Sequence, residues 1–356
     1  MNYLTGRTIK LKALYYLLVI GSFSFLGCDK DEDLNNLKAA EESSTSKTQA
    51  DNVSVSSIED GASIYIDGFY TGETTPSTLN LPIGEHVIGV GLNNSERYLR
   101  KTINVTSTEG LLEVSLNEDD LQQPKKWKAL FVGFNNATNG SCTTTYSREE
   151  LQLGYDFFTD TFQEYLEPYS YNTMEWEFEK CFLGAPVRLS NDNLVTPPVF
   201  DAISEVNINP GDYDLIITFF RGQQTDCTIG GFLGIAWFDV NIGNSDASYF
   251  TIRYHDDIEG RINWARNNDP GVYIHEWLHT VAESFYPDRG YPAPRIPATR
   301  EVVHAAGLFN YSFPWMTWYR DLIRGQVNDG GVYKGMGPDA LLECTVRENA
   351  LGQCPN

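Results

Sequence analysis

The chain has 356 residues, with 48 acidic against 26 basic side chains and a net charge of −22. That balance excludes nucleic acid as a partner, and it excludes attachment to an anionic membrane by surface charge, since both need a basic face. Six cysteines without a C-x-x-C pair point to disulfides formed outside the cytoplasm rather than to a cysteine metal site.

Residues 1–28 read as a targeting segment. Arg7, Lys10 and Lys12 give a basic start, and the apolar run 13–26 is too short to span a bilayer as a mature helix. The run ends Phe25, Leu26, Gly27, Cys28. This ending resembles a lipoprotein signal, with Phe25 where leucine is usual, and implies that Cys28 is lipidated and becomes the new N-terminus. The acidic run Asp29, Lys30, Asp31, Glu32, Asp33 resembles a signal for export to the cell surface in some Gram-negative bacteria. Together these resemblances imply an outer-membrane lipoprotein exposed at the cell surface and held there by a lipid anchor. Residues 29–51 have almost nothing to bury and are expected to form a disordered acidic tether.

Residues 52–117 show only strand-like patterning. Runs at 53–56, 62–66, 86–92, 98–105 and 111–116 are separated by turn residues such as Asp67 and Gly68, with no helical period. About 65 residues of this kind predict a small all-β sandwich. The stretch GASIYIDGFYTGETTPSTLNLPIGEHVIGV resembles the PEGA domain, whose name-giving motif reads Glu59, Asp60, Gly61, Ala62 here. The resemblance implies an extracellular accessory module without catalysis, in which His86 is structural. Residues 118–125 form the linker.

Residues 126–356 are long enough for a sizeable core. Buried strands are expected at 126–134 (KWKALFVGF) and 213–220 (YDLIITFF), and a half-buried one at 173–179 (TMEWEFE). Ser147 and Glu150 make a capping box that opens a helix running toward Pro168. Residues 230–240 are the candidate edge strand for an extended substrate. The domain reads as α+β. Of Cys142, Cys181, Cys227, Cys344 and Cys354, the last two are close enough to shut a C-terminal loop, and the odd count leaves at least one thiol over.

The segment His275, Glu276, Trp277, Leu278, His279 carries the chemistry. Two imidazoles at i and i+4 share one helix face and can converge on a metal, with Glu276 close enough to take a proton from metal-bound water. This is the H-E-x-x-H pattern of zinc hydrolases, and it calls for Zn2+. Asp269 and Pro270 supply an expected cap and first turn, Ile274, Trp277, Leu278, Val281 and Phe285 form an apolar stripe, and Pro287 ends the helix. A hydrolytic zinc needs a third protein ligand. Glu283 lies about 12 Å along the axis from His275 at 1.5 Å per residue, too far to share the ion, and is expected to support the ligands instead. The metzincin pattern would need glycine at Ala282 and histidine at Phe285, and so is absent. Residues 299–307 (TREVVHAAG) read as a short helix carrying the remaining candidates. His304 is preferred, Glu301 is the alternative, and His255 follows.

Beyond them, Tyr311 is the candidate donor to the oxyanion, with Tyr319 behind it, although 20 tyrosines make packing roles common. The run 315–327 (WMTWYRDLIRGQV) has the period of an amphipathic helix whose stripe Trp315, Trp318, Leu322 packs on the H-E-x-x-H helix. HEWLHTVAES, the downstream histidine and WYRDLIRG resemble bacterial zincin-type metallopeptidase domains over roughly residues 125–356. The resemblance implies a twisted mixed sheet with the active-site helix beneath it. It also implies cleavage of extracellular proteins or peptides, with Glu276 as general base. Two readings stand beside it: a non-catalytic surface lipoprotein binding protein or glycan, and a zinc hydrolase acting on another bond.

Overall fold

The structure is a computed structural model that describes residues 50–106, 111–230, 232–240, 243–255 and 257–355. The leader, Cys28 and all but the last two residues of the expected tether lie outside the described residues.

The N-terminal part contains seven strands: β1 (Ala50–Ser57), β2 (Ser63–Ile66), β3 (Phe69–Thr74), β4 (Ser77–Pro82), β5 (Gly84–Leu92), β6 (Arg97–Val105) and β7 (Leu112–Leu116). They form a three-stranded sheet, β4-β1-β7, and a four-stranded sheet, β3-β2-β5-β6. β1 begins at Ala50, so the expected tether extends two residues too far. Alternate residues face inward, as the two-residue period of a strand requires. Val53, Val55, Ile64, Ile88, Val90 and Leu99 build the core between the sheets. β3 and β4, which the residue pattern did not reveal, carry few buried side chains. His86 holds Asp67 at 2.8 Å and the Pro82 carbonyl at 2.9 Å, a local role in the turn.

The remainder is mixed α/β. β8 (Lys125–Phe134) leads through helix α1 (Arg148–Thr161) to β9 (Met174–Leu183), and β10 (Leu215–Arg221), β11 (Gly234–Ala236) and β12 (Ser248–Tyr254) complete a five-stranded sheet in the order β9-β8-β10-β12-β11. The first four strands are parallel, and only the edge strand β11 is antiparallel, against β12. Strands and helices alternate through this half, so the α+β segregation expected from the residue pattern holds only in part. β10 shows why the central strands read as unbroken apolar runs. Leu215, Ile217 and Phe219 face the helical layer, and Ile216 and Phe220 face the opposite layer with Val195 and Phe200. The capping box of α1 is present, with Glu150 N–H donating to Ser147 Oγ at 3.2 Å. Disulfides join Cys142 to Cys227 and Cys344 to Cys354, leaving Cys181 as the free thiol.

Helix α2 (Ile258–Asn268) and helix α3 (Val272–Thr280) follow β12, and α3 carries the H-E-x-x-H residues. Asp269 terminates α2 rather than capping α3, whose first turn starts from Gly271. The expected cap is therefore displaced by two residues, because a second helix ends where the sequence suggested only a beginning. Trp277 is fully buried and meets Trp127 and Trp176 edge-on, at centroid distances of 5.9 and 6.0 Å. These three rings fix α3 across the sheet face. Trp277→Ala should cost about 3–5 kcal/mol, the range for removing a buried aromatic. The loss is read as a lower denaturant midpoint at unchanged slope.

Candidate metal centre

On α3 the imidazoles of His275 and His279 stand one turn apart, with their Nε2 atoms 3.3 Å from each other. Two ligands of a tetrahedral zinc at Zn–N distances of about 2.0–2.1 Å are separated by about 3.3 Å, so the pair already has the spacing that such an ion imposes. His304 joins them. One ligand atom from each of the three histidines lies within 4.8 Å of the others. His304 is carried by a 3₁₀ turn, Val303–Phe309, and not by a helix opening at Thr299. Residues 299–302 instead form a turn in which the Thr299 hydroxyl accepts from Glu301 N–H at 3.1 Å. Glu301 sits 3.7 Å from His304 Nδ1, outside the cluster of three, and His255 is exposed beyond the end of β12.

The nitrogens that would not face the ion are held. His279 Nδ1 donates to Glu283 Oε2 at 3.0 Å, which leaves the Nε2 lone pair free. The other oxygen of Glu283 accepts from the backbone N–H groups of Val302 and Val303, at 2.7 and 2.9 Å. His275 Nδ1 lies 2.9 Å from the hydroxyl of Tyr319. Burial, and then the neighbouring His279 and His304, push the His275 pKa down to about 3, so this ring is neutral at physiological pH, the form a metal requires. Three imidazole donors, one largely exposed, with carboxylate and tyrosine support behind the other two, fit a zinc ion with an open coordination position.

Helix α4 (Met316–Arg324) closes one side. Trp315, just ahead of it, stacks on His275 at 6.0 Å, and Trp318 donates its indole N–H to the Val303 carbonyl at 3.0 Å. Gly271 lets α3 start against this helix, because a Cβ there would press on Met316 Sδ and the Tyr319 ring at 2.6 and 2.8 Å. Tyr311 donates its hydroxyl to Asp321 at 2.7 Å and packs on Trp318. Among the described contacts, Tyr319 is the tyrosine that reaches a histidine of the cluster, and the sequence ranked it second. Phe238, which the sequence did not single out, sets its half-exposed ring 5.7 Å from His279.

Glu276 is buried beneath the edge strand β11, and its carboxylate abuts Gly234 so closely that any Cβ there would collide with it. Burial raises its pKa to about 7, with His279 opposing the shift and Glu283 adding to it. Helix α3 is tied to the segment after β11 by Thr280, whose hydroxyl donates to the Trp237 carbonyl at 2.8 Å, and by Ser284, which donates to the Phe238 carbonyl.

Residues 50–118 match the PEGA domain, so this module is identified in the sandwich half of the chain. No curated protein matches the sequence. Among solved structures, the chain has a likeness to the crystal structure of metalloproteinase-II from Bacteroides fragilis, at 9% identity and a TM-score of 0.25 over 56% of this chain and 68% of that one.

Zinc titration of purified variants tests the ligand set. His304→Ala should lose most of the bound zinc, and Glu301→Ala should retain it. Glu283→Gln, which weakens the support of His279 and of the third-ligand turn, should lower affinity about 10–100-fold.

Proposed function

We propose that the chain is a zinc metallopeptidase that hydrolyses peptide bonds of extracellular proteins from the outer face of a bacterial outer membrane, where lipidated Cys28 anchors it. The reading is carried by one observation: three imidazoles converge within 4.8 Å beside the buried carboxylate of Glu276. Zinc, when bound there, supplies a Lewis acid and lowers the pKa of its water toward neutrality. His275, His279 and His304 would hold it, with Glu283 and Tyr319 fixing the rings. Glu276 moves the proton, first as base and then as acid toward the leaving amine. A carboxyl poised near 7 by burial suits both duties.

The edge strand β11 supports a peptide as the substrate. It lies over Glu276 and ends the sheet among the described residues, so an extended chain could pair with its outer side. No helix among the described residues is long and apolar enough to cross a membrane, and the proposed attachment needs none. A net charge of −22 leaves nucleic acid outside the expected partners.

The decisive comparison is wild type against Glu276→Gln, scored for bound zinc and for cleavage of a mixed peptide library. Glu276→Gln should retain about one zinc per chain and lose about 10²–10⁴-fold in rate, the usual contribution of a general acid–base group. Wild-type protein that binds zinc but cleaves no peptide would favour the binding-module reading. Wild-type protein without zinc affinity would sink both zinc-dependent readings.

A further inference from the structure

The PEGA sandwich is sealed to the rest of the chain through its four-stranded sheet. Tyr65 of β2 donates its hydroxyl to the Arg324 carbonyl at 2.9 Å. Gln326 Nε2 donates back to Ser63 Oγ and Tyr65 Oη at 3.0 Å each, and to Tyr171 Oη at 3.3 Å. Tyr98 of β6 donates to Asp339 Oδ2 at 3.0 Å, and Arg100 pairs with Oδ1 at 3.1 Å. Tyr65, Tyr98 and Tyr171 are fully buried together, and the Tyr171 ring lies so close over Gly91 that a Cβ there would collide with it. The three tyrosine rings of this interface are buried and their hydroxyls are satisfied. A spacer that merely carried a catalytic domain would need neither property.

These contacts converge on the C-terminal end of α4. The last carbonyls of a helix have no partner within it. Here Leu322 O accepts from Met336 N–H at 2.8 Å, Ile323 O accepts from Gly337 N–H at 3.0 Å, and Arg324 O accepts from Tyr65. One of the helix's terminal carbonyls is thus closed by the sandwich. Five residues back, about 7.5 Å along the same rigid rod, Tyr319 holds His275 Nδ1. Trp318, one residue further back, holds the turn that carries His304.

We infer that the PEGA module is a working part of the metal centre: Tyr65, by closing the end of α4, positions Tyr319 and through it the His275 imidazole. Tyr65 and Gln326 are positioning residues that never touch the ion. The inference rests on the metal-site reading above, and its test separates the two.

Zinc affinity of the full chain is measured by competition with a chromophoric chelator, for wild type, Tyr65→Phe, Tyr319→Phe and the double variant, each checked for cooperative thermal unfolding. Tyr319→Phe should weaken zinc about tenfold, as loss of a group supporting a ligand does. Tyr65→Phe should weaken it about two- to tenfold. The double variant should bind no more weakly than Tyr319→Phe alone, because both substitutions act through one hydrogen bond. Wild-type affinity in Tyr65→Phe, or effects that multiply in the double variant, would overturn the inference and leave the metal site standing. Absence of zinc binding by wild type would remove the site itself. If Tyr65→Phe does not fold, Gln326→Met withdraws the amide that holds the Tyr65 hydroxyl in place on the Arg324 carbonyl, and carries the same comparison.

Discussion

The candidate metal centre depends on one buried carboxylate. Glu283 is 1% exposed and faces three donors: the His279 ring and the backbone N–H groups of Val302 and Val303. A carboxylate out of water is costly unless hydrogen bonds replace its hydration, and these three do so. The arrangement sets the tautomer of His279 and docks the segment that brings His304 to the pair. Two histidines on a helix cannot complete a tetrahedral metal site by themselves, and Glu283 is what ties the position of His304 to the same helix. It lies in the π-helical turn Val281–Phe285, directly after the α-helical stretch, a distortion that recurs in helices at functional sites.

A second support comes from α4, and here the chemistry of tyrosine matters. A buried tyrosine offers a large apolar ring for packing and one hydroxyl that must find a partner. Tyr319 spends its hydroxyl on His275, and Tyr65 spends its own on the end of the same helix. The second contact is available only because the sandwich presents a sheet face of aromatics to the mixed α/β domain. The accessory module therefore shares an aromatic cluster with the domain it accompanies, and the described residues belong to one compact unit.

Local patterns were legible in the sequence, and long-range ones were not. The i,i+4 spacing of His275 and His279, the apolar stripe from Ile274 to Phe285, the capping box at Ser147 and the supporting place of Glu283 all follow from helical geometry within a few turns. The residue that joins the histidine pair was narrowed to His304, Glu301 and His255, because spacing limits reach but does not say which segment returns. Tyr319 acts across 44 residues. No period connects it to His275, so Tyr311, nearer to His304, was preferred and proved to be engaged with Asp321. β12 escaped notice because it is buried on both faces and shows no alternation. α2 escaped because few of its residues face the core. The boundary between α2 and α3 was misread because Asp269, Pro270 and Gly271 serve one helix's end and the next one's start, and residue type alone does not say which.

Exposure around the triad gives the site a direction. His279 and Glu276 are buried, His275 is half-buried and His304 is exposed, so the histidine cluster meets solvent on its His304 side. The edge strand against Glu276 is three residues long and starts with Gly234. A side chain at that position would meet the carboxylate, so glycine is what lets the strand backbone and the Glu276 side chain share the same few ångströms. An exposed edge is ordinarily a liability that proteins keep short. Keeping it to three residues limits unwanted pairing, yet leaves room for one extended segment to lie alongside. Under the peptidase proposal, the same shortness would favour a single extended strand lying beside Glu276.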